Sequence, residues 1–374
     1  MRIAVNTRLL LKGKLEGIGW FTYENFERIT KQHPEHQFFF LFDRSYSEDF
    51  IFASNVTPVI LKPQSRHPIL WYIWFEWAVK KFLKKHNIDI FVSPDGYLSL
   101  KTNIPQLAVI HDINFHHTPK GLPVTTSWYL NRYFPKFAHK AKRIVTVSQF
   151  SKNDIVDCYE IDKNKIDVVY NGANNAFSPL SAEDVQKVRE KIAEGMPYFV
   201  FVGAFNPRKN LDGLINAYTI FRSKVNSSIK LVLVGEPMFK TKAIKDAYNN
   251  CPFKNDIIFT GRQEVNELRN IIGASFAMIY PSLFEGFGIP VLEAIKCEVP
   301  LAVSNTTAIP EVAGDAAIYF DPSNTESIAN SMVELFNNEP LRNKLVESAK
   351  SQSQKFNWDF SAAKLYESIL KCIE

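Results

Sequence analysis

The sequence predicts an α/β protein built from two doubly wound parallel sheets, and three observations lead there. Short apolar runs rich in Val, Ile and Phe alternate with longer amphipathic stretches along the whole chain, the pattern of strands joined by crossover helices. A run of turn formers, Asn171-Gly172-Ala173-Asn174-Asn175-Ala176-Phe177-Ser178-Pro179, divides that pattern near its middle. The 374 residues, 46% of them hydrophobic, supply enough apolar material for two cores.

In the first half, strands are expected at 2–6, 38–42, 56–61, 88–93, 106–110, 143–147 and 166–170. In the second half they are expected at 198–203, 229–235, 256–260, 276–280, 300–303 and 316–320. Each is a β-branched or aromatic run bounded by polar or turn residues, as suits a sheet buried on both faces. The linker places an N-terminal domain at 1–172 and a C-terminal domain at 173–355. Ligands of open α/β sheets bind outside the carboxyl ends of the strands. Residues just after strands are therefore the candidates for chemistry, and two such domains facing each other would share a central cleft.

Composition narrows the class. Cys158, Cys251, Cys297 and Cys372 lie far apart without a C-x-x-C pair, so neither a zinc ribbon nor a disulfide framework is suggested. The N-terminus runs straight into the first strand without the regions of a signal peptide, and no run of about 18 apolar residues occurs. A cytoplasmic protein is the expectation. The net charge of +5 is unevenly spread: residues 1–170 carry 23 Lys and Arg against 16 Asp and Glu, whereas residues 171–374 carry 21 against 23. All 8 histidines lie in the first part, so the two halves are expected to have different partners.

The strongest motif follows the strand at 276–280: Pro281-Ser282-Leu283-Phe284-Glu285-Gly286-Phe287-Gly288-Ile289-Pro290-Val291-Leu292-Glu293. Gly286 and Gly288 allow a tight turn with exposed backbone N–H groups, and Pro290 suits the first turn of a helix whose positive end would seat a diphosphate. Glu285 and Glu293 bracket that seat and could accept hydrogen bonds from sugar hydroxyls. A second motif, Gly203-Ala204-Phe205-Asn206-Pro207-Arg208-Lys209-Asn210, puts two adjacent cations at a strand end, a fit for pyrophosphate; a solvated surface turn is the plainer alternative.

After the first strand, Glu16-Gly17-Ile18-Gly19-Trp20-Phe21-Thr22 has Thr22 where a dinucleotide fingerprint needs its third glycine. That disfavours a dehydrogenase and leaves a glycine loop approaching a phosphate or acceptor. His111 and Asp112 end the strand at 106–110, followed by His116 and His117. Their spacing is neither H-x-x-x-H nor H-x-H, so an imidazole bonding to a sugar is preferred over a metal. No D-x-D occurs, which removes the usual metal-diphosphate clamp. The stretch Leu70-Trp71-Tyr72-Ile73-Trp74-Phe75-Glu76-Trp77, continued by Lys80, Lys81, Lys84 and Lys85, reads either as a core helix with a solvated basic end or as an interfacial helix on an anionic membrane.

Taken together, these residues resemble the retaining glycosyltransferases of family 4, with the GT-B fold, a group that includes bacterial mannosyltransferases. The likeness runs from Arg8 and Gly17-Ile18-Gly19 through His111-Asp112, Thr146 to Ser151, Asn171-Gly172, Pro207 to Asn210 and Glu285 to Glu293 to Pro310-Glu311-Val312-Ala313-Gly314-Asp315. It implies two Rossmann-like domains facing a central cleft, the first for acceptor and the second for donor, with a last helix in 356–374 crossing back to the first. It implies further that Glu293 binds the nucleotide ribose and Glu285 the donor sugar, while Gly286, Phe287, Gly288 and Ile289 meet sugar and diphosphate. Lys209 and Arg208 would neutralise the departing diphosphate, His111 would bond the donor sugar, and Gly17 and Gly19 would let the N-terminal loop approach. Base recognition falls near Arg262. Departures from the pattern are Ala204, Trp20 and Lys296-Cys297-Glu298, where arginine, arginine and a small residue with glycine are common.

The reading that results is a retaining, metal-independent hexosyltransferase without a cofactor. Its donor would be a nucleoside-diphosphate sugar, GDP-mannose favoured over a UDP-hexose, and its acceptor a glycan or lipid-linked oligosaccharide of a surface polysaccharide. A sugar-nucleotide epimerase and a non-catalytic sugar-nucleotide-binding protein are the alternatives. No nucleic acid is expected as partner. Peripheral contact with the inner face of the cytoplasmic membrane would run through Trp71, Trp74, Lys80, Lys81, Lys84 and Lys85.

Overall fold

The computed structural model describes residues 1–119, 122–238 and 241–374. Strands β1 (Arg2–Asn6), β2 (Gln37–Phe42), β3 (Val56–Ile60), β4 (Ile90–Ser93), β5 (Gln106–Val109), β6 (Arg143–Thr146) and β7 (Ile166–Val168) form one sheet in the order β3-β2-β1-β4-β5-β6-β7. Strands β8 (Tyr198–Val202), β9 (Lys230–Val234), β10 (Ile257–Gly261), β11 (Ala277–Tyr280), β12 (Leu301–Ser304) and β13 (Ala317–Phe320) form a second, ordered β10-β9-β8-β11-β12-β13. Every pairing is parallel. All the expected strands are present, with ends displaced by a residue or two. Those displacements fall where the chain leaves the ladder: Ile110 still donates to Val145 O, but the backbone then turns away.

The chain forms two compact units, residues 1–171 with 357–374, and residues 172–356. Helices cover both faces of each sheet, so the central strands are apolar throughout: every residue of β8, Tyr-Phe-Val-Phe-Val, is buried. The last helix, Trp358–Leu370, packs on the first unit. Its Asp359 pairs with Arg28 at 2.6 Å, Tyr366 stacks on His33 and meets His36 Nε2 at 2.8 Å, and Ser368 donates to Asp167.

Strand order reverses between β1 and β4 in the first sheet and between β8 and β11 in the second. At such a switch point the crossovers leave to opposite faces and open a crevice at the carboxyl edge. In the second unit the loops flanking that crevice are 203–210 and 281–288.

One expectation is corrected here. Residues 68–85 form a continuous helix with a π-helical middle: Pro68–Ile73, Trp74–Val79 and Lys80–Lys85. Trp74 is fully buried, and its indole N–H donates to Leu61 O at 3.0 Å. Trp71 is partly buried and donates to Ser65 O. Neither offers a face to a membrane. Ile69, Ile73 and Trp77, spaced four apart, are the exposed apolar residues instead. Glu76, the acid that breaks the apolar run, is buried and accepts from Ser99 Oγ, Leu100 N and Lys101 N. Lys81, Lys84 and Lys85 are exposed and Lys80 is half-buried.

Candidate functional site

In the second unit, Pro207–Lys209 forms a 3-10 turn after β8, ended by Asn210 in the left-handed region at φ +55°. This turn aims Lys209 back under the sheet edge, where Nζ lies 2.5 Å from Glu285 Oε1 and 2.8 Å from the Tyr280 hydroxyl. Arg208 Nη1 donates to Phe284 O at 2.9 Å and reaches Glu285 Oε2 at 3.3 Å. Ser282 and Tyr280 also donate to Glu285 Oε1, and the Glu285 N–H donates to Thr307 Oγ1. Both Lys209 and Glu285 are buried. A lysine and a carboxylate withdrawn from water need each other, because either alone would carry an uncompensated charge.

The two acids of the motif differ sharply. Burial pushes the Glu285 carboxyl upward, but the Lys209 and Arg208 charges and the Lys209 and Ser282 hydrogen bonds outweigh it and hold it at about 2. Glu293, inside the helix Ile289–Lys296, has only burial acting on it and is pushed up to about 8. The helix starts from Gly288, whose φ of +103° would strain any other residue, and an added Cβ would stand 2.7 Å from Ile309 Cδ1, which would have to shift. Phe287 is buried against Phe356.

Beside this corner, the carboxyl ends of β8, β9 and β10 enclose a mostly apolar cavity of about 320 Å³. Phe205, Tyr248 and Phe259 line it, with Gly235 and Glu236 at its wall. Arg262 follows Gly261 at the end of the edge strand β10, so β9 and β8 separate it from β11, which leads into the Glu285 turn.

In the first unit His111 follows β5. Its Nε2 lies 2.9 Å from Pro94 O, an oxygen that can only accept, so the proton is on Nε2 and Nδ1 is left as an acceptor. Burial lowers its pKa, outweighing the Pro94 hydrogen bond and the nearby Asp112 and Asp95 charges, which raise it, and keeps the ring neutral. Phe21 holds the ring edge-on at 5.1 Å. Asp112 does not pair with His111; its Oδ1 accepts from Asn114 N and Nδ2 in a local turn. Gly17 and Gly19 do not form a loop. They occupy the first turn of the helix Gly17–Gln32, and a Cβ on Gly19 would stand 3.0 Å from Leu9 O, a tight contact that a larger residue could fit only if the backbone gave way slightly.

The structure thus brings together Arg208, Lys209 and Glu285, with Gly286 to Ile289 and Glu293 continuing from the same turn. It places His111, Gly17 and Gly19 in the first unit. Sequence reasoning passed over Tyr280, Ser282 and Thr307, and also a network at the β1/β4 switch point. There Asp95 accepts from Arg8 Nε at 2.6 Å, Asn6 Nδ2 at 2.8 Å and Ser93 Oγ at 3.0 Å, all buried. Asp95 stands just after a strand, so the strand-end criterion could have found it.

Two doubly wound parallel sheets, the second with a cationic, helix-flanked corner at its switch point, are accompanied by matches to two glycosyltransferase families. Residues 16–177 match the family Glycosyltransferase Family 4, and residues 183–352 match Glycosyl transferases group 1. The chain belongs to these group 1, family 4 glycosyltransferases. It is similar to the O-antigen chain mannosyltransferase B of Escherichia coli, 26% identical over 278 residues, which are 74% of this chain and 73% of that protein. It is equally similar to the O-antigen chain mannosyltransferase RfbU of Salmonella typhimurium, 26% identical over 287 residues, 75% and 76% of the two chains. Among solved structures, Anabaena HepE in complex with UDP and glucose superposes with a TM-score of 0.75 over 98% of both chains at 18% identity, which shows a shared GT-B fold.

Proposed function

We propose that this glycosyltransferase transfers mannose from GDP-mannose, with retention of configuration, to a lipid-linked glycan during surface-polysaccharide assembly. The mannose preference rests on the mannosyltransferase relatives. What carries the transfer chemistry is the Arg208–Lys209–Glu285 corner. A diphosphate docked at the Gly288 helix end meets two cations whose charge offsets the negative charge that grows on the leaving phosphate. The nucleobase would sit in the aromatic cavity of Phe205, Tyr248 and Phe259, and Glu293 would take the ribose hydroxyls.

Retention follows from attack on the face the leaving group departs from. The acceptor oxygen bonds to the anomeric carbon, the bond to the phosphate oxygen breaks, and the acceptor proton passes to the departing phosphate. Glu285 is a poor nucleophile for a two-step route, since Oε1 already takes hydrogen bonds from Lys209, Ser282 and Tyr280 and its carboxyl is held at about 2. His111 would accept a donor-sugar hydroxyl at Nδ1. The charge at the leaving group comes from Lys209 and Arg208, so the step needs neither metal nor cofactor, and the work is placed on the cytoplasmic side of the membrane.

The test is transfer from GDP-mannose, UDP-glucose and UDP-galactose to lipid-linked glycan extracts, with NMR of the anomeric proton of the product. Mannosylated product in the α-configuration from GDP-mannose alone is expected, and Lys209→Met should abolish it. Turnover of a UDP-sugar instead would overturn the donor assignment. Conversion of donor without acceptor, giving a different sugar nucleotide, would overturn transfer itself.

A further inference from the structure

Three side chains outside the transferase set converge in the first unit. His117 ends the short helix Asn114–His117, and Asp154 and Cys158 lie one turn apart on the helix Gln149–Tyr159. His117 Nε2 is 2.7 Å from Asp154 Oδ1, and the Cys158 thiol donates to the same oxygen at 3.5 Å. One nitrogen, one oxygen and one sulfur therefore fall within 4.8 Å of one another. The Asp154 side chain is only 10% exposed, and its second oxygen, Oδ2, is buried with no hydrogen-bond partner among the described residues. A dry carboxylate oxygen beside an imidazole and a thiol is a set of donors short of an electrophile.

We infer that His117, Asp154 and Cys158 bind a single borderline divalent cation, with Zn²⁺ the best match, which fastens the segment following His111 to the helix Gln149–Tyr159. Imidazole, carboxylate and thiolate together suit zinc, whereas calcium and magnesium take oxygen ligands. Zinc bonds of about 2.0–2.3 Å place ligand atoms roughly 3.3–3.8 Å apart, so the present cluster needs only side-chain adjustments. The His117 side chain is 38% exposed, which leaves a coordination position open to water. On binding, the imidazole proton that Nε2 donates to Asp154 moves to Nδ1, so that Nε2 offers its lone pair to the metal, and the Cys158 thiol releases one proton to solvent as its sulfur bonds the metal.

The site has a mechanical consequence. Ser151 Oγ, on the same helix, already donates to His111 O at 3.0 Å. The cation adds a second fastening six residues further along, so the segment 111–117 would be held at both ends.

The experiment uses the full chain stripped with a chelator. Calorimetric titration with ZnCl₂ should show one equivalent bound, with a rise in Tm by mass action. Titration with Co²⁺ should give a thiolate-to-cobalt charge-transfer band and the d–d spectrum of a tetrahedral ion. Cys158→Ser should remove the charge-transfer band, and His117→Ala, at a partly exposed position, should weaken binding at least about tenfold. Absence of stoichiometric binding in the wild-type chain, or a cobalt spectrum that Cys158→Ser leaves unchanged, would overturn the assignment.

Discussion

Glu285 and Glu293 sit eight residues apart with pKa values pushed in opposite directions, and their surroundings say why. An unfolded glutamate titrates near about 4.3. Glu285 is held at about 2 because Lys209 and Arg208 overcome its burial, so its contribution to stability is present above about pH 4 and is lost as pH falls toward 2. Glu293 is raised to about 8 by burial alone, so its contribution is full below about pH 4 and is lost as pH rises through 8. Replacing it by Gln removes that penalty. The Tm of Glu293→Gln is expected to match wild type near pH 5 and to exceed it by a growing margin as pH rises toward 8, while GDP binding should weaken if Glu293 takes the ribose hydroxyls as proposed, because the amide offers one acceptor oxygen where a carboxylate offers two. Differential scanning calorimetry across pH and nucleotide titration read the two effects separately. A Tm difference that does not change with pH would sink the argument. At this scale the sequence showed which residues stand at strand ends, since Pro-Arg-Lys-Asn and Glu-x7-Glu both follow strands. It could not show that Glu285 would spend itself on Lys209, because that pairing crosses from the end of β8 to the end of β11.

Elements were the most legible level, since strands buried on both faces leave an unbroken apolar signature. The misreadings have specific causes. Gly17-Ile18-Gly19 looked like a loop because glycine is a poor helix former, yet Gly19 stands in the first helical turn, where a Cβ would crowd Leu9 O at 3.0 Å. Of the two readings of the helix through 68–85, the core helix with a solvated basic end agrees with the burial of Trp74, Phe75 and Val79 and the exposure of Lys81, Lys84 and Lys85. A membrane face through Trp71 and Trp74 does not, since the spacing of Ile69, Ile73 and Trp77 decides exposure and the buried Glu76 anchors the opposite side. The glycines after β8 and β9 carry a constraint of another kind. Gly235 has φ +144°, and a Cβ on it would lie 2.0 Å from Gly203 O, so the two strand ends can approach only without a side chain. Gly261, at φ +71°, meets nothing within 4 Å. Gly235→Ala is therefore expected to cost about 2 kcal/mol or more and lower Tm by roughly 4–8 °C, against about 1 kcal/mol for Gly261→Ala, which pays only the backbone strain. Equal losses in thermal melts of the two variants would refute the contact argument. Because Gly235 also walls the aromatic cavity, its variant should bind nucleotide more weakly.

On the scale of the whole molecule, positive charge is concentrated in one part. The first 170 residues hold an excess of 7 positive charges, and the rest a deficit of 2. None of the described helices is long and apolar enough to cross a membrane. The same part nevertheless exposes Trp77 at 67% and Trp128 at 61%, with Ile69, Ile73 and Val124. The helices carrying them pack together: Trp71 meets Tyr129, and Tyr72 meets Tyr133. Lys101 Nζ lies over the Tyr72 ring, Lys136 Nζ over the Tyr133 ring, and Trp128 lies edge-on to Tyr133. Indoles at the surface beside amines stacked on phenols are the chemistry of a contact with an anionic bilayer, where rings enter the headgroup layer and amines meet phosphates. A lipid-linked acceptor would be reached from such a position without a spanning helix. The protein is therefore expected to co-sediment with vesicles containing phosphatidylglycerol, to release as salt rises, and to bind phosphatidylcholine vesicles weakly. Trp77→Ser with Trp128→Ser should weaken sedimentation about tenfold, whereas Trp71→Phe should leave it unchanged. Transfer to a soluble acceptor should survive the double change, and transfer to a vesicle-embedded acceptor should fall with binding. Sedimentation that ignores both lipid charge and the two exposed tryptophans would place the contact elsewhere.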